Sequence, residues 1–417
     1  MSNFDTASML LVGACVGSTL TYLILQRANN DSVVVTPKLK TFSGDSLELH
    51  KYTPPSWIPP YLRTQAPTQR LNLGHLFTPI HRWSPAAEEN LSKVDFWIKR
   101  DDFTGSEFSG NKIRKLEFLL AKALEEHCDS VITVGGIQSN HCRATAAAAA
   151  RVGLRSHLVL RTDDHLVKKD PGLCGNLLVS RLIGAELHLV TASQYAMHEG
   201  GWGLVKDLRE KLIREGHRPF IFPSGGSCAL GVWGYVDAVE EIRVQLSSIR
   251  NAAPLDRIYF ACGSGGTAAG LSLGLHLSGM GVSAGGKTEL IAVGVDDDPN
   301  FFYKKLDQLL LQCGVILQNN KTSKDLLRIV QGVGEGYAMS TVEELEEVAR
   351  VARQTGVVLD PVYSGKAVVG MLADLQKNTG DIGTSMKQLR VLFLHTGGLL
   401  GMYDKVDQLQ KVVDSIK

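Results

Sequence analysis

Ser109-Gly110-Asn111-Lys112 puts a lysine where a helix begins, because Ile113, Leu116, Leu119, Leu120, Ala123 and Leu124 recur behind it at helical spacing. The positive end of a helix disfavours a cation, so its field lowers the lysine pKa and favours the neutral, nucleophilic amine. An exposed lysine at a helix start is the bland alternative while Lys112 is taken alone. Downstream, the apolar run at 131–134 ends in Gly135-Gly136-Ile137-Gln138-Ser139-Asn140, which puts small polar groups at a strand end. Three more apolar strands end in small-residue turns: Pro223-Ser224-Gly225-Gly226-Ser227, Cys262-Gly263-Ser264-Gly265-Gly266-Thr267 and His395-Thr396-Gly397-Gly398.

The turn at Gly263, Ser264, Gly265, Gly266 and Thr267 is the sharpest of these. Closely spaced glycines let backbone N–H groups converge on an anion, the next helix adds its positive end, and Thr267 adds a hydroxyl. A phosphate suits it, although a tight strand-to-helix turn also needs glycine. A phosphate cradle and an activated lysine in an alternating α/β chain suggest pyridoxal phosphate, whose aldehyde condenses with an amine and whose ring is an electron sink. Other motif matches fail on context. Gly263-x-Gly265-x-x-Ala268 fits a dinucleotide fingerprint, but nothing acidic lies between Asp256 and Glu289 to hold a ribose. Ser109-x-x-Lys112 lacks the companion motifs of acyl-transfer serine enzymes, and the GxSxG at 281–285 precedes a strand instead of following one.

The elements that must position these residues alternate regularly. Strands are expected at 131–134, 157–160, 187–190, 220–222, 258–261, 290–295, 357–359 and 391–394, with edge strands at 33–35 and 96–99. Helices are expected from Lys112 and over 142–152, 173–183, 193–215, 231–248, 267–279, 299–313, 341–355 and 365–376. Short, continuously apolar strands between helices mean parallel sheets covered on both faces. There are too many for one comfortable sheet, so two αβα units are expected.

The chain has 417 residues and a net charge of +1, so length allows two or three units and charge gives no sign of nucleic acid. Its 42 glycines cluster at strand ends. The seven cysteines are scattered, with no CxxC and no zinc-type His/Cys spacing, which argues for a reducing compartment and no structural metal. Residues 9–25 are uncharged and about long enough to cross a bilayer. Residues 1–28 are therefore expected to be an N-terminal membrane anchor, with an organellar (mitochondrial) targeting segment as the alternative, and Arg27 would leave the catalytic part facing the cytosol. Residues 29–70, with Pro54-Pro55 and Pro59-Pro60, read as a Pro-rich linker.

SGNKIRKLEFLLAKAL, VGGIQSNHCRATAAAAARVG, DPGLCGNLL, ACGSGGTAAGL, DPVYSGKAVVGM and LFLHTGGLLGMYDK resemble the D-cysteine desulfhydrase and 1-aminocyclopropane-1-carboxylate deaminase family from about residue 70 to the end. The resemblance implies an α/β fold of the tryptophan-synthase-β type (fold type II, pyridoxal 5'-phosphate). The large cofactor-binding domain would be 71–114 with 224–417, and the small domain 115–223. It implies that Lys112 carries the cofactor and exchanges the proton at the substrate α-carbon. Asn140 would bond the cofactor's phenolic oxygen, Ser139, Asn140 and His141 would hold the substrate carboxylate, residues 263–267 would cradle the phosphate, and Tyr337 and Tyr363 would face the substrate. Ser364 and Thr396 stand where deaminases of the family carry Glu and Leu, and His141 where they carry Gln. This implies β-elimination from D-cysteine to pyruvate, hydrogen sulfide and ammonia, with a small D-amino acid as substrate and a homodimer as assembly. Ser364 and Thr396 would contact the cofactor, with a hydroxyl near its ring nitrogen. The alternatives are the deaminase reaction and a membrane-tethered binding protein without this catalysis.

Overall fold

The computed structural model describes residues 48–85, 91–249, 254–377 and 388–415, all within the unit Phe42–Lys417. Residues 9–25 and the strand expected at 33–35 lie outside the described residues. Among those described, no helix is long and apolar enough to cross a membrane.

The strands are β1 (His50–Lys51), β2 (Gln69–Arg70), β3 (Ile80–Arg82), β4 (Val94–Arg100), β5 (Ser130–Gly136), β6 (Arg155–Thr162), β7 (Glu186–Thr191), β8 (Pro219–Ile221), β9 (Arg257–Cys262), β10 (Glu289–Gly294), β11 (Arg328–Gln331) and β12 (Leu389–His395). The principal helices are α1 (Lys112–Glu125), α2 (Asn140–Arg151), α3 (Gly175–Leu182), α4 (Trp202–Arg214), α5 (Ala229–Ser248), α6 (Gly266–Leu277), α7 (Pro299–Gln312), α8 (Val342–Thr355), α9 (Ser364–Lys377) and α10 (Val406–Ser415). Two sheets result. One has six strands in the order β11-β10-β9-β12-β4-β3, the other four in the order β7-β6-β5-β8. All their pairings are parallel except β3 with β4, while β1 and β2 form a separate antiparallel pair. Continuous apolar runs such as Val391–Leu394 are buried on both faces, as parallel strands under helices must be.

Several expectations need correction. The helix expected over 193–215 is broken. Glu199, Gly200 and Gly201 all take positive φ, and a Cβ on Gly201 would lie 2.6 Å from Val134, so two helices flank a tight left-handed turn. Residues 357–359 form no strand. The place beside β10 goes instead to β11, from the glycine-rich stretch where no strand was expected. Phe96–Lys99 is no edge, because β4 lies between β12 and β3. The stretch before residue 70, read as a linker that becomes an ordered lead-in, is packed from Tyr52 on: Tyr52, Ile58 and Leu62 are buried with Trp233 and Val236 of α5 in one apolar cluster.

Glycine sets how closely α5 and α6 approach. A Cβ on Gly270 would meet the Tyr235 side chain at 2.4 Å, and one on Gly274 would meet Val239 at 2.7 Å. This contact fixes where α6, and hence the turn before it, begins. A buried ionic network fixes α1. Arg114 donates to Asp101 at 2.8 Å and to Glu241 at 2.8 Å; Tyr235 and Thr78 each donate to Asp101 at 2.7 Å, and Lys99 also pairs with Glu241. Arg114 is two residues beyond Lys112, so the network holds the start of that helix.

Candidate active site

A cavity of about 500 Å³ opens at the carboxyl ends of the parallel strands, where ligands bind in open α/β sheets. Gly135 and Gly136 of β5, Arg161 of β6, Ala261 and Cys262 of β9, and Thr396 and Gly397 after β12 line it. So do Lys112, Ser139, Asn140, His141, Gly263, Ser264, Gly265, Thr267, Tyr337 and Tyr363. Gly266 and Ser364 are absent from the wall, and they differ in consequence.

The Lys112 amine donates to the Asn111 side-chain carbonyl at 2.7 Å. The Asn111 amide in turn donates to Thr267 Oγ1 at 3.0 Å, and the Asn111 backbone N–H donates to the Thr396 carbonyl at 3.1 Å. One residue thus couples the lysine to the glycine turn and to the end of β12. Burial, followed by the charge of Arg143, lowers the Lys112 pKa to about 8, while Asp360 pulls it upward. Burial therefore leads, where the sequence suggested the helix field. Arg143, itself pushed down to about 10 by burial, donates to Asn176 at 3.0 Å and to the carbonyls of Glu107 and Ser109, tying α2 to the loop before Lys112.

Ser139 caps α2 by accepting from the Cys142 N–H at 3.2 Å, which leaves its own O–H free to donate. Asn140 follows as the first helical residue, and its side-chain oxygen is buried without a partner. His141 bonds Thr133 through Nε2 at 2.9 Å, and its buried Nδ1 has no partner. Burial and then the charges of Lys112 and Lys115 lower the His141 pKa well below the ordinary imidazole value, so the ring is neutral. Buried polar atoms without partners are rare, and two adjoining ones on a cavity wall fit a polar guest.

The turn from β9 to α6 is the candidate anion site. Gly265 has φ of 84° and, lacking a side chain, gives α6 no cap from its own N-cap position. Gly266 lies behind the wall, its N–H donating to Ser227 Oγ at 3.1 Å, and Ser227 donates to Ser264 Oγ at 2.8 Å. Gly225 must be glycine here, since a Cβ would lie 2.0 Å from Ser264 Oγ at φ of 67°. Lys115, fully buried, donates to the Gly225 carbonyl at 3.0 Å, and its pKa is well below the ordinary lysine value through burial and then the charge of Lys112. Lys305 joins the wall. A helix start, Lys305 on the wall and Lys115 buried behind the turn fit a phosphate, although Asp296 and Asp297 line the same cavity. Lys115 was missed in sequence although it is three residues after Lys112, one helical turn along the same face.

Tyr337 and Tyr363 share a hydrogen bond of 2.5 Å, and the Lys112 amine lies 6.0 Å from the Tyr363 ring centre. Burial raises both phenols, Tyr337 to about 12, so one hydroxyl donates to the other and one proton is left for a ligand. Ser364 is a correction. Its hydroxyl contacts Asp360 Oδ1 at 2.5 Å and it is fully buried, so it starts α9 and offers nothing to the cavity; Thr396 does line it. Asp360 accepts the N–H groups of Val362, Tyr363 and Ser364 and thereby sets the angle of Tyr363.

Residues 71–397 match the family described as "Pyridoxal-phosphate dependent enzyme". The chain is 48% identical over 372 residues to the "Bifunctional D-cysteine desulfhydrase/1-aminocyclopropane-1-carboxylate deaminase, mitochondrial" of Arabidopsis thaliana, covering 89% of this chain and 88% of that one. It is 36% identical over 340 residues to the "D-cysteine desulfhydrase" of Serratia proteamaculans, covering 80% and 95%. A solved structure described as "Crystal Structure Analysis of the ACC deaminase homologue" superposes with a TM-score of 0.68 at 33% identity, covering 84% and 98%.

Proposed function

We propose that this chain, which belongs to the D-cysteine desulfhydrase and 1-aminocyclopropane-1-carboxylate deaminase family of fold type II pyridoxal-phosphate-dependent enzymes, eliminates hydrogen sulfide from D-cysteine. The observation that carries the reading is the Lys112 amine, lowered to about 8 in a cavity whose wall also holds the glycine turn before α6. The residues fit the cofactor: Lys112 would bind its aldehyde, the 263–267 turn with Lys115 its phosphate, and the orphaned Asn140 oxygen faces the same cavity. When bound, the group supplies an electron sink for charge that develops at the substrate α-carbon.

The chain's own residues do the rest. Ser139 and the start of α2 hold the substrate carboxylate, with the neutral His141 beside it. Lys112, released as a free amine, removes the α-proton as general base. Its pKa near 8 keeps it partly unprotonated close to neutrality. The Tyr337–Tyr363 pair orients the substrate side chain and can give a proton to the departing sulfur. HS⁻ leaves from the β-carbon, and water converts the released enamine to pyruvate and ammonia. Opening of the ring of 1-aminocyclopropane-1-carboxylate is the second reading, favoured by the double description of the Arabidopsis relative.

The deciding assay measures sulfide and pyruvate from D-cysteine beside L-cysteine, and 2-oxobutyrate from 1-aminocyclopropane-1-carboxylate. Sulfide from D-cysteine in equal amount to pyruvate supports elimination. No sulfide, with turnover of the cyclopropane alone, would replace it by the second reading. The homodimer and membrane attachment through residues 9–25 complete the proposal. Sedimentation of the purified chain tests the first, and fractionation of the full-length chain the second.

A further inference from the structure

At the far end of the four-stranded sheet from the cavity, three ligand-type side chains meet on one face. His157 of β6 lies directly opposite Glu186 of β7 in register, and His188 follows Glu186 by two residues on the same strand. A period of two keeps all three on one side of the sheet. His157 Nδ1 lies 3.3 Å from Glu186 Oε2 and 3.4 Å from His188 Nε2, and the three ligand atoms all fall within 4.8 Å of one another. We propose that His157, Glu186 and His188 form a binding site for a divalent transition metal of the zinc class, which ties edge strand β7 to β6.

Zinc with imidazole and carboxylate ligands at about 2.0–2.1 Å places tetrahedral neighbours about 3.4 Å apart. The two short separations already match this. His157 is 1% exposed, and its Nε2 is buried without a partner, so Nδ1 is the polar outlet of the ring and it faces the other two groups. Glu186 is 54% exposed, giving the ion a route in and leaving the fourth position to water. Its carboxylate also offsets the nearby positive charges of Arg155 and Lys211. No spacing rule in the sequence reveals the set, because one ligand comes from a different strand. The site pins an edge strand, so its effect falls on stability and not on the reaction at the carboxyl ends.

The test uses the cofactor-loaded chain, stripped of metal by dialysis against chelator and then titrated with Zn²⁺ alone. The expected result is one Zn²⁺ per chain with a raised thermal midpoint. In His188→Gln the equivalent should be lost. In Glu186→Gln binding should weaken by at least the roughly 10–100-fold that loss of a supporting hydrogen bond costs. His188 and Glu186 are not in the buried core, and circular dichroism checks that both variants fold. No uptake by the parent chain, or uptake that both variants retain unchanged, as binding at the free thiols would give, overturns the proposal.

Discussion

At the scale of single residues, Lys112 decides activity. Lys112→Ala should abolish turnover and the visible absorbance of bound cofactor, while urea unfolding shifts little; retained turnover would remove the lysine from its role. Its lowered pKa gives a pH prediction. Below about 8 the amine is protonated and cannot attack an aldehyde, so the rate at which the cofactor-free chain takes up pyridoxal phosphate should rise as pH climbs through about 8. A rate flat across that window would contradict the burial that sets the shift. Thr396 and Ser364 separate here. Thr396 lines the cavity, so Thr396→Leu should change the ratio of D-cysteine to cyclopropane turnover, read as kcat/KM for each. Ser364→Glu would press a second carboxylate onto Asp360, now 2.5 Å away, and should cost stability before it alters specificity.

At the scale of elements, the proposed phosphate cradle depends on how turns pack. The 263–267 turn lies where β9 ends and α6 begins, and the Ser224–Ser227 turn closes on it with room only for hydrogen at Gly225. Gly225→Ala combines a left-handed φ, worth about 1–2 kcal/mol against an L-residue, with a clash at Ser264. Equilibrium dialysis should show cofactor affinity down about tenfold or more, and unchanged affinity would mean that Ser264 has no part in the cradle. The same scale explains the broken helix after residue 197. Apolar periodicity runs on through Gly200 and Gly201, but their left-handed turn brings Glu199 and Gly200 to the cavity wall, a packing demand that periodicity does not encode.

For the whole molecule, the buried Asp101–Arg114–Glu241–Lys99 network joins the strand before the site, α1 and α5. Removing one member of a buried ion pair costs about 3–5 kcal/mol, so Arg114→Met should lower unfolding stability by that order in urea and loosen Lys112 with it. Burial alone would raise the Asp101 pKa, but the charge and hydrogen bonds of Arg114 outweigh it and hold the group near 2, below its ordinary 3.8. The unfolded chain therefore binds this proton first. The stabilisation is complete above about 4 and is lost as pH falls from there towards 2, which an acid titration of the thermal midpoint would follow.

The alternation of short apolar strands with helices, the lysine at a helix start and the glycine-rich phosphate turn were all legible in order along the chain, because each is a local pattern of period or small residues. The last two suggested pyridoxal phosphate, and the resemblance of its motifs to a known family added the reaction and the tyrosines. Tertiary structure alone decided the rest. It turned Ser364 into a partner of Asp360, drew Lys115, Arg143 and Asn111 around Lys112, moved β4 inside its sheet, and set His157 against His188. Each of these depends on which strands lie side by side and which side chains lose water together. Burial, set by which elements pack over Lys112, is the largest cause that leaves its amine ready to react.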